Sequence, residues 1–462
     1  MRNQLFLTWI IISVLLTSCS SDDDPSPSNN ENAAPIITAQ SFSADEDIAD
    51  DVVIGTVQAT DTEGDSLTFS ITANSGNLFE ITASGELSLT TNESLDFETA
   101  VSHMLTVEVS DGTSQASASI TITVNDVKGD NPFTFTWTPI DGGNFGMPGV
   151  FAGIIGGAST IDGNTLSYDF TVDWGDGSMP ERFTSIANVN HEYTSGGNYQ
   201  VKITGELPHV QLGLPFFSLV KTIDNWGEIE WEYLLGSFQE NPDLQVLATD
   251  VPNLSNATIL SNMFLNCLSL NTGNFNEWDM RNVTLTVGMF SGCRAFNQPL
   301  DNWDMSNVIS TRDMFLDARD FNQDIGSWDV SKVTDFSNMF ASAANFNQDI
   351  GNWDLSGATG INGTLGMFFS ASAFNQDISG WNMINVRNMR SMFHFATNFN
   401  QDISGWNVGE VTDMESMFQS ASSFSQNLSS WDVGQVAACT GFAGGSSVLS
   451  SSQLPNFTNC TP

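Results

Sequence analysis

Between residues 237 and 442, apolar residues return at a fixed interval of 24 to 26 residues, with a single longer step of 28. Each copy holds a Met-Phe pair or a variant of it, and a Trp follows 13 or 14 residues later. The pair closes at Phe264, Phe290, Phe315, Phe340, Phe368, Phe393 and Phe418, and the Trp residues are Trp278, Trp303, Trp328, Trp353, Trp381, Trp406 and Trp431. A fixed period in the twenties predicts a solenoid of about eight units, each burying its apolar face only against its neighbours. The longer step contains a Gly-rich insertion near Gly360–Gly366.

Within one copy, the sequence predicts a short helix and a short extended stretch. Met414, Met417 and Phe418 are spaced as on one face of a helix, with Thr412 as a candidate N-cap. The "DI.GW" residues that follow predict an extended stretch whose Ile and Trp face inward, and such stretches could stack as a parallel sheet. The fold class expected for 237–442 is therefore an α/β solenoid.

Identical residues recur at four positions of these copies, and each such set is called a column: one of Trp, one of Asn and two of Asp. We assign the Trp column to the core; the alternative is an exposed aromatic stripe that stacks on sugars. An Asn column is expected to form a ladder of amides that satisfy backbone groups, and it comprises Asn297, Asn322, Asn347, Asn375 and Asn400. Asp residues suit either turns and caps or a cation-binding edge, and they are Asp279, Asp304, Asp329, Asp354 and Asp432, with Asp324, Asp349, Asp377 and Asp402. Binding specificity is expected at positions that vary between copies and in the insertion.

The chain before the copies alternates as β-strands do. Short alternating runs between turn residues predict one β-sandwich over 34–127 and a second over 132–206. Residues 207–236 are dense in apolar residues and are expected to cap the first copy, while 443–462 are expected to cap the last.

The first sandwich resembles a cadherin repeat, with "ADED", "GTVQATDTEGDSLTFSIT", "LDFE", "VEVSDG" and a final "NDVKGDN" in that family's order. The resemblance implies calcium at both ends of the domain, with oxygen ligands of the kind calcium prefers. Its lower-end ligands correspond to Glu46, Asp96, Glu98 and Asp126, its upper-end pair to Asp61 and Glu63, and Asp130 is a further candidate. The closing motif departs from the family because Lys128 and Gly129 replace two expected ligands.

The second sandwich resembles a PKD-type (polycystic kidney disease) domain. The residues that carry this resemblance are Trp174-Gly175-Asp176-Gly177 in "VDWGDGS", followed by His191 and Tyr193 in "HEY". The glycines and Asp176 suit a tight turn. An Asp beside a His could be catalytic, but we interpret this pair as structural.

The copies, together with the "WGDG" sandwich before them, resemble the BspA-type leucine-rich-repeat surface proteins of bacteria. Segments such as "FNQDIGSWDVSKVTDFSNMF" carry the resemblance. It implies a leucine-rich-repeat-type α/β solenoid, surface display, adhesion, and binding of an external protein. The predicted architecture is thus multidomain: two all-β sandwiches, cadherin-like and PKD-like, followed by that solenoid.

The first 18 residues resemble a bacterial lipoprotein signal peptide, because an apolar run too short to span a membrane ends in Leu16-Thr17-Ser18-Cys19. The resemblance implies cleavage, acylation of Cys19 and durable anchoring by more than one acyl chain. Residues 19–33 are expected to form an acidic flexible tether. Its "SSDDD" resembles the export tag of surface lipoproteins in Bacteroidetes-type bacteria. This resemblance implies that the chain is located at the exposed face of the outer membrane.

The net charge limits the candidate partners, and the cysteines indicate which disulfides are open to the chain. The chain has 54 acidic and 12 basic residues, for a formal charge of −42, and such a surface disfavours nucleic acid as a partner. In the oxidising compartment, Cys439 and Cys460 could form a disulfide that staples the C-terminal cap. Cys267 and Cys293 occupy the same slot of adjacent copies and are expected to be small buried side chains, although a disulfide is open to them.

We expect no enzymatic activity, because the sequence has no G-x-S-x-G, P-loop, H-E-x-x-H or CxxC motif and its four His residues are scattered. The leading hypothesis is a surface lipoprotein that acts in cell adhesion, in which a calcium-stabilised stalk presents the copies to an external protein or glycan. The alternatives are a glycan-capture protein for polysaccharide uptake and a structural coat protein that self-associates.

Overall fold

A computed structural model describes residues 32–97, 99–127, 131–141, 151–187, 189–212, 219–445 and 449–462. The predicted signal peptide, Cys19, Glu98 and Asp130 lie outside these residues. The chain divides into two compact units, Met1–Val127 and Lys128–Pro462, which are considered one at a time below.

The first unit is a β-sandwich, as the sequence predicted. Its strands are β1 (Ile36–Ile37), β2 (Gln40–Asp45), β3 (Gly55–Thr56), β4 (Ala59–Thr60), β5 (Thr68–Asn74), β6 (Phe79–Ile81), β7 (Glu86–Leu89), β8 (Ser102–Ser110) and β9 (Gln115–Asn125). One sheet has the order β2-β9-β8-β5, with β2 parallel to β9, and the other has the order β3-β7-β6. β1 pairs with β4.

Strict alternation along the long strands fills the core between these sheets. In β8, Leu105, Val107 and Val109 are buried while the residues between them are more exposed, as a period of two requires. β9 contributes Ile120 and Ile122 in the same way.

The second unit begins with another set of strands. They are β10 (Phe133–Thr138), β11 (Ile140–Asp141), β12 (Phe151–Ile155), β13 (Thr160–Ile161), β14 (Asn164–Thr165), β15 (Asp169–Asp173), β16 (Glu181–Phe183), β17 (Val189–Tyr193), β18 (Tyr199–Glu206), β19 (Leu219–Asn225) and β20 (Gln245–Val246). Six form a sheet of order β16-β15-β18-β10-β19-β20, and three form a sheet of order β11-β12-β17. Because β19 and β20 extend the larger sheet, it runs on without a break into the first copy of the repeat.

The prediction of an α/β leucine-rich-repeat solenoid is wrong, because the described residues contain no α-helix. The two helical segments they include are 3₁₀ turns at Ser75–Asn77 and Phe275–Glu277. In the Met-Phe segment, two residues four positions apart in each copy have positive φ, for example Ser391 at 55° and Phe395 at 60°. A helix cannot form when positive φ recurs at this interval. We call residues 237–445 the array.

Backbone hydrogen bonds explain this conformation. The N–H of Asn262 donates to the carbonyl oxygen of Val287 in the next copy at 2.8 Å, and that of Phe264 donates to Met289 at 3.0 Å. The intervening Met263 donates within its own copy, to Leu260 at 3.2 Å. Alternate N–H groups thus join neighbouring copies, whereas a helix would spend nearly all of them inside one copy.

Parallel bridges between copies lie just before the Met-Phe pair and not at the "DI.GW" residues. They join Tyr233, Ile259, Leu285, Ser310 and Asp335 in turn, and then Asn388, Asp413 and Ala438. The "DI.GW" residues turn instead, since the carboxylate of Asp324 accepts the N–H of Gly326 at 3.0 Å. The copy that carries the insertion interrupts the described series of bridges.

Candidate functional site

The lower end of the first unit is the end where β2 and β9 finish, and there the carboxylate of Glu46 binds two other segments of the chain. Its side chain is 5% exposed, and its two carboxylate oxygens accept the N–H of Phe97 at 2.7 Å and of Val127 at 2.8 Å. The carboxylate of Asp96 is capped locally by the N–H and the hydroxyl of Thr99, each at 2.8 Å. Asp126 is exposed. Backbone donors therefore already satisfy the central carboxylate of this end.

At the opposite, upper end, one carboxylate oxygen of Asp61 accepts several hydrogen bonds and the other accepts none. Oδ1 of Asp61 accepts the backbone N–H groups of Glu63, Gly64 and Asp65 at 2.9, 2.9 and 3.1 Å. Oδ2 of the same carboxylate is buried and has no hydrogen-bond partner. The side chain of Glu63 is exposed. A buried carboxylate oxygen without a donor is the kind of hard ligand that calcium takes.

The residues predicted to bind calcium therefore differ in whether they have an oxygen available for the ion. No group of three or more His, Cys, Asp or Glu side chains close enough to hold a metal occurs among the described residues. Asp61 presents a free oxygen that suits a cation, whereas the oxygens of Glu46 are taken by N–H groups. Glu98 and Asp130 lie outside the described residues.

In the second unit, Asp176 and His191 form a brace beneath the "WGDG" turn. His191 Nε2 lies 2.8 Å from Asp176 Oδ2, and its ring stacks on Trp174 with centroids 4.9 Å apart. Hydrogen bonds from Ser178 and then from His191 lower the pKa of Asp176 to about 2. The Tyr193 hydroxyl donates to the Trp174 carbonyl at 3.0 Å and accepts from the Trp137 indole. Asp176, His191 and the Tyr193 hydroxyl each have an internal partner, whereas the indole N–H of Trp174 is buried without one. The arrangement ties β15 to β17.

The Trp column of the array belongs to the core, as the sequence predicted. The seven rings are 3–5% exposed, and neighbouring rings stack on either side of the insertion, for example Trp303 on Trp328 with centroids 6.2 Å apart. From Trp303 onward, each indole N–H donates to a backbone carbonyl of the preceding copy; that of Trp328 reaches Leu300 at 2.9 Å. The exposed Trp stripe required by the glycan-uptake hypothesis is therefore not a feature of the array.

The Asn column forms the predicted ladder. Oδ1 of Asn322 accepts the N–H of Asn347 at 2.9 Å, and the Gln348 amide donates to the Asn322 carbonyl at 2.8 Å. The ladder begins one copy earlier than predicted, at Asn271, and ends on Ser425. The Asp columns serve turns: Asp329 accepts the N–H two residues later at 3.0 Å, as do its equivalents.

The array has one disulfide at its C-terminal end and two free cysteines in its interior. Cys439 and Cys460 form a disulfide. Cys267 and Cys293 are free and fully buried, and burial raises the pKa of both thiols. The Cys267 Sγ–H donates to the Phe238 carbonyl at 3.2 Å, which leaves it as a small packed side chain.

The position directly after the Met-Phe pair differs between copies and is partly exposed in several of them. Leu265, Phe369, His394 and Gln419 are partly exposed there, whereas the equivalent Ala341 is buried. Sequence reasoning pointed to variable positions but missed this surface, because it placed the segment in a helix. The signal was available: the slots with positive φ hold mostly Asn, Asp, Ser and Gly, the residues that tolerate it best.

Comparison with protein families gives two matches, and each covers less than half of the chain. Residues 40–125 match the cadherin domain, so the resemblance of the first sandwich to cadherins is confirmed. Residues 258–366 and 359–456 match a family described as Mycoplasma proteins of unknown function, DUF285. No curated protein matches the chain.

Solved structures similar to the chain include human protocadherin-24 EC1-2, at 25% identity and a TM-score of 0.20 over 22% of this chain and 48% of that one. Human mucin-like protocadherin EC1-2 shares 20% identity, with a TM-score of 0.19 over 21% and 55%. Drosophila N-cadherin EC1-3 shares 24% identity, with a TM-score of 0.20 over 21% and 35%. The chain spans about half the length of the first two. Within the described residues, no helix is long and apolar enough to cross a bilayer.

Proposed function

We propose that this chain is an extracellular adhesion protein in which a cadherin-like domain is joined to an array that binds an external partner. The observation that carries the proposal is the match of residues 40–125 to the cadherin domain.

The array supplies the binding surface in this proposal. Its repeated Trp, Phe and Asn side chains contact the neighbouring copies, so they offer little accessible surface to a partner. Positions that differ from copy to copy remain at the surface, for example Ile309 at 46% exposed. A surface assembled from non-repeating residues on a regular frame is suited to one specific partner.

Calcium enters the proposal through the upper end of the first unit. Calcium would be held there by Asp61 through its free Oδ2, with Glu63 as a candidate second ligand. The chemistry supplied by the ion is charge compensation for the acidic turn. Glu46 acts in this scheme as an internal brace.

Anchoring and location belong to the proposal as well. A lipid on Cys19 after removal of 1–18 would hold the chain on the outer membrane, and the tether 19–33 would place it at the exposed face. The PKD-like assignment of 132–206, the boundaries of the cap segments and the lack of enzymatic activity stay predictions. A structural coat protein is the alternative, and it would self-associate without an external ligand.

The test uses the full chain coupled to beads. We expect such beads to be retained on immobilised extracellular matrix proteins, glycans or cells, and uncoated beads not to be. Retention nowhere, together with bead-to-bead clustering, would favour the structural alternative. Retention nowhere without clustering would contradict adhesion altogether.

A further inference from the structure

One exposed aromatic cluster stands out on the array, formed by Phe369, His394 and Phe395. The Phe395 ring is 45% exposed and stacks on the His394 ring, with centroids 4.3 Å apart and planes 16° apart. Phe369, from the preceding copy, meets the two rings edge-on at 5.1 and 6.1 Å. The cluster directly follows the copy with the insertion.

Phe395 occupies a backbone slot that disfavours it. Its φ is 60°, in the left-handed region that is sterically unfavourable for a non-glycine residue. Its N–H donates to the Gln419 carbonyl at 3.0 Å, the bond that the array makes at this slot in each copy, so the backbone cannot relax. The other copies carry Glu240, Asn266, Gly292, Asp317, Ser342, Ser370, Ser420 and Gly445 in this slot. A strained ring that is left half-exposed contributes little to the core, which points to a role at the surface.

The residues next to the cluster in its own two columns are uncharged, in contrast to a chain of net charge −42. The adjacent residues in the same two columns are Ala341, Ser342, Ser370, Gln419 and Ser420. Burial lowers the pKa of His394, which favours the neutral ring at physiological pH. Aromatic faces framed by hydroxyl and amide groups suit a neutral ligand with a C–H face and hydroxyls.

The size of the cluster also limits its ligand. Three rings with centroids about 4–6 Å apart cover the area of one or two rings, far less than the ~800 Å² that each partner buries in a standard protein interface. A single ring-shaped ligand unit matches this area.

We propose that the aromatic cluster binds a neutral hexopyranose ring of an extracellular oligosaccharide. The C–H face of the sugar stacks on Phe395, to which Phe369 is perpendicular, and its hydroxyls exchange hydrogen bonds with Gln419 and the neighbouring serines. This inference deepens the proposed adhesion function by naming a class of ligand. It differs from the Trp-stripe hypothesis because it places one local site on residues that do not repeat.

The test measures binding of neutral gluco-, manno- and galacto-oligosaccharides to the full chain by isothermal titration calorimetry. We expect at least one to bind, and Phe395→Ser to weaken that binding about tenfold or more, the loss expected when stacking worth about 1.4 kcal/mol is removed. Ser is the residue of the two neighbouring copies, so this variant should unfold at the same or a higher denaturant concentration. Met104→Thr, a change of an exposed apolar residue on β8 of the first unit, should bind as the parent does.

Three outcomes overturn the proposal. They are no binding by any of these oligosaccharides, equal binding by Phe395→Ser, or a self-association of the full chain in sedimentation that Phe395→Ser alone abolishes. The last would assign the cluster to a second copy of the chain. Bead adhesion that persists in Phe395→Ser would leave the adhesion proposal standing while removing the sugar site.

Discussion

The indole N–H of Trp328 donates a hydrogen bond to the backbone carbonyl oxygen of Leu300 in the preceding copy, at 2.9 Å. The same bond recurs in every later copy, with donor–acceptor distances up to 3.2 Å. Trp278 stands at the start of the column, and its indole N–H is buried without a partner. The column therefore combines ring stacking with a hydrogen bond everywhere except at its first member.

This difference gives a matched pair of variants. Trp328→Phe should lower the free energy of unfolding of the array by at least about 1 kcal/mol more than Trp278→Phe does. Both changes remove the same volume from residues that are 3% exposed, but Trp278→Phe also removes an unsatisfied donor. Urea unfolding followed by Trp fluorescence measures both losses. Equal losses would mean that the hydrogen bond contributes nothing beyond packing.

The free oxygen of Asp61 predicts a local effect of calcium. Millimolar calcium should slow amide hydrogen exchange at Glu63, Gly64 and Asp65, whose N–H groups bind the same carboxylate. Asp61→Asn keeps one acceptor oxygen for these donors but replaces the free oxygen with a neutral amide. It should therefore abolish the calcium effect.

Glu46→Gln serves as the contrasting variant. It should speed exchange at Phe97 and Val127 with or without calcium, because one of their N–H groups would then face an amide NH₂ instead of an oxygen. If Glu46→Gln removed the calcium effect and Asp61→Asn did not, the ion would bind at the lower end.

The brace between Asp176 and His191 predicts a dependence of stability on acid. Since hydrogen bonds from Ser178 and His191 lower the pKa of Asp176 to about 2, the stabilisation is complete above the unfolded pKa near 4. It is then lost as the pH falls through about 2. In Asp176→Asn, the loss of stability between pH 4 and 2 should be smaller by on the order of 1 kcal/mol, allowing for solvent screening.

Urea midpoints of Trp fluorescence at pH 2, 3, 4 and 5 measure this effect. Glu192→Gln, an exposed change on the strand that carries His191, is the control and should keep the parent's slope. An unchanged slope in Asp176→Asn would mean that the brace does not stabilise the fold in its ionised form.

The sequence predicted the parts of the fold that depend on which residues recur. Buried Trp and bonded Asn follow from repetition, because a residue kept in each copy meets its own equivalents when copies stack. Alternation predicted the first sandwich in the same direct way. These predictions require only the period of the pattern and the chemistry of the side chain.

The conformation of the Met-Phe segment could not be read from apolar spacing. Met414, Met417 and Phe418 fall on one side of a helix, yet they are also buried in the observed conformation, in which Ser416 and Ser420 take positive φ. What decides between the two is the partner of each N–H, which lies about 25 residues away in the next copy. The cluster at Phe395 was missed for the same reason, since its strain exists only in the observed conformation.

The disulfide between Cys439 and Cys460 predicts a redox-sensitive C-terminal cap. It links the last copy to the terminal segment, which otherwise rests on few bonds, such as the Gln453 amide to the Ser425 carbonyl at 2.7 Å. A crosslink across 21 residues stabilises by about 3 kcal/mol in the chain-entropy account. Reduction of the native chain should therefore speed amide exchange throughout 449–462 and leave the central copies unchanged.

Two comparisons isolate the crosslink in this experiment. Cys460→Ser should show the faster exchange without reductant and no further change with it. Cys267 and Cys293 are already free and buried, so they should react with a thiol reagent only after the array unfolds. If reduction left exchange in 449–462 as slow as before, packing such as that of Phe457 on Phe442 would hold the cap without the disulfide. If exchange rose in the central copies as well, the cap would stabilise the array as a whole, as terminal repeats do when each copy depends on its neighbour.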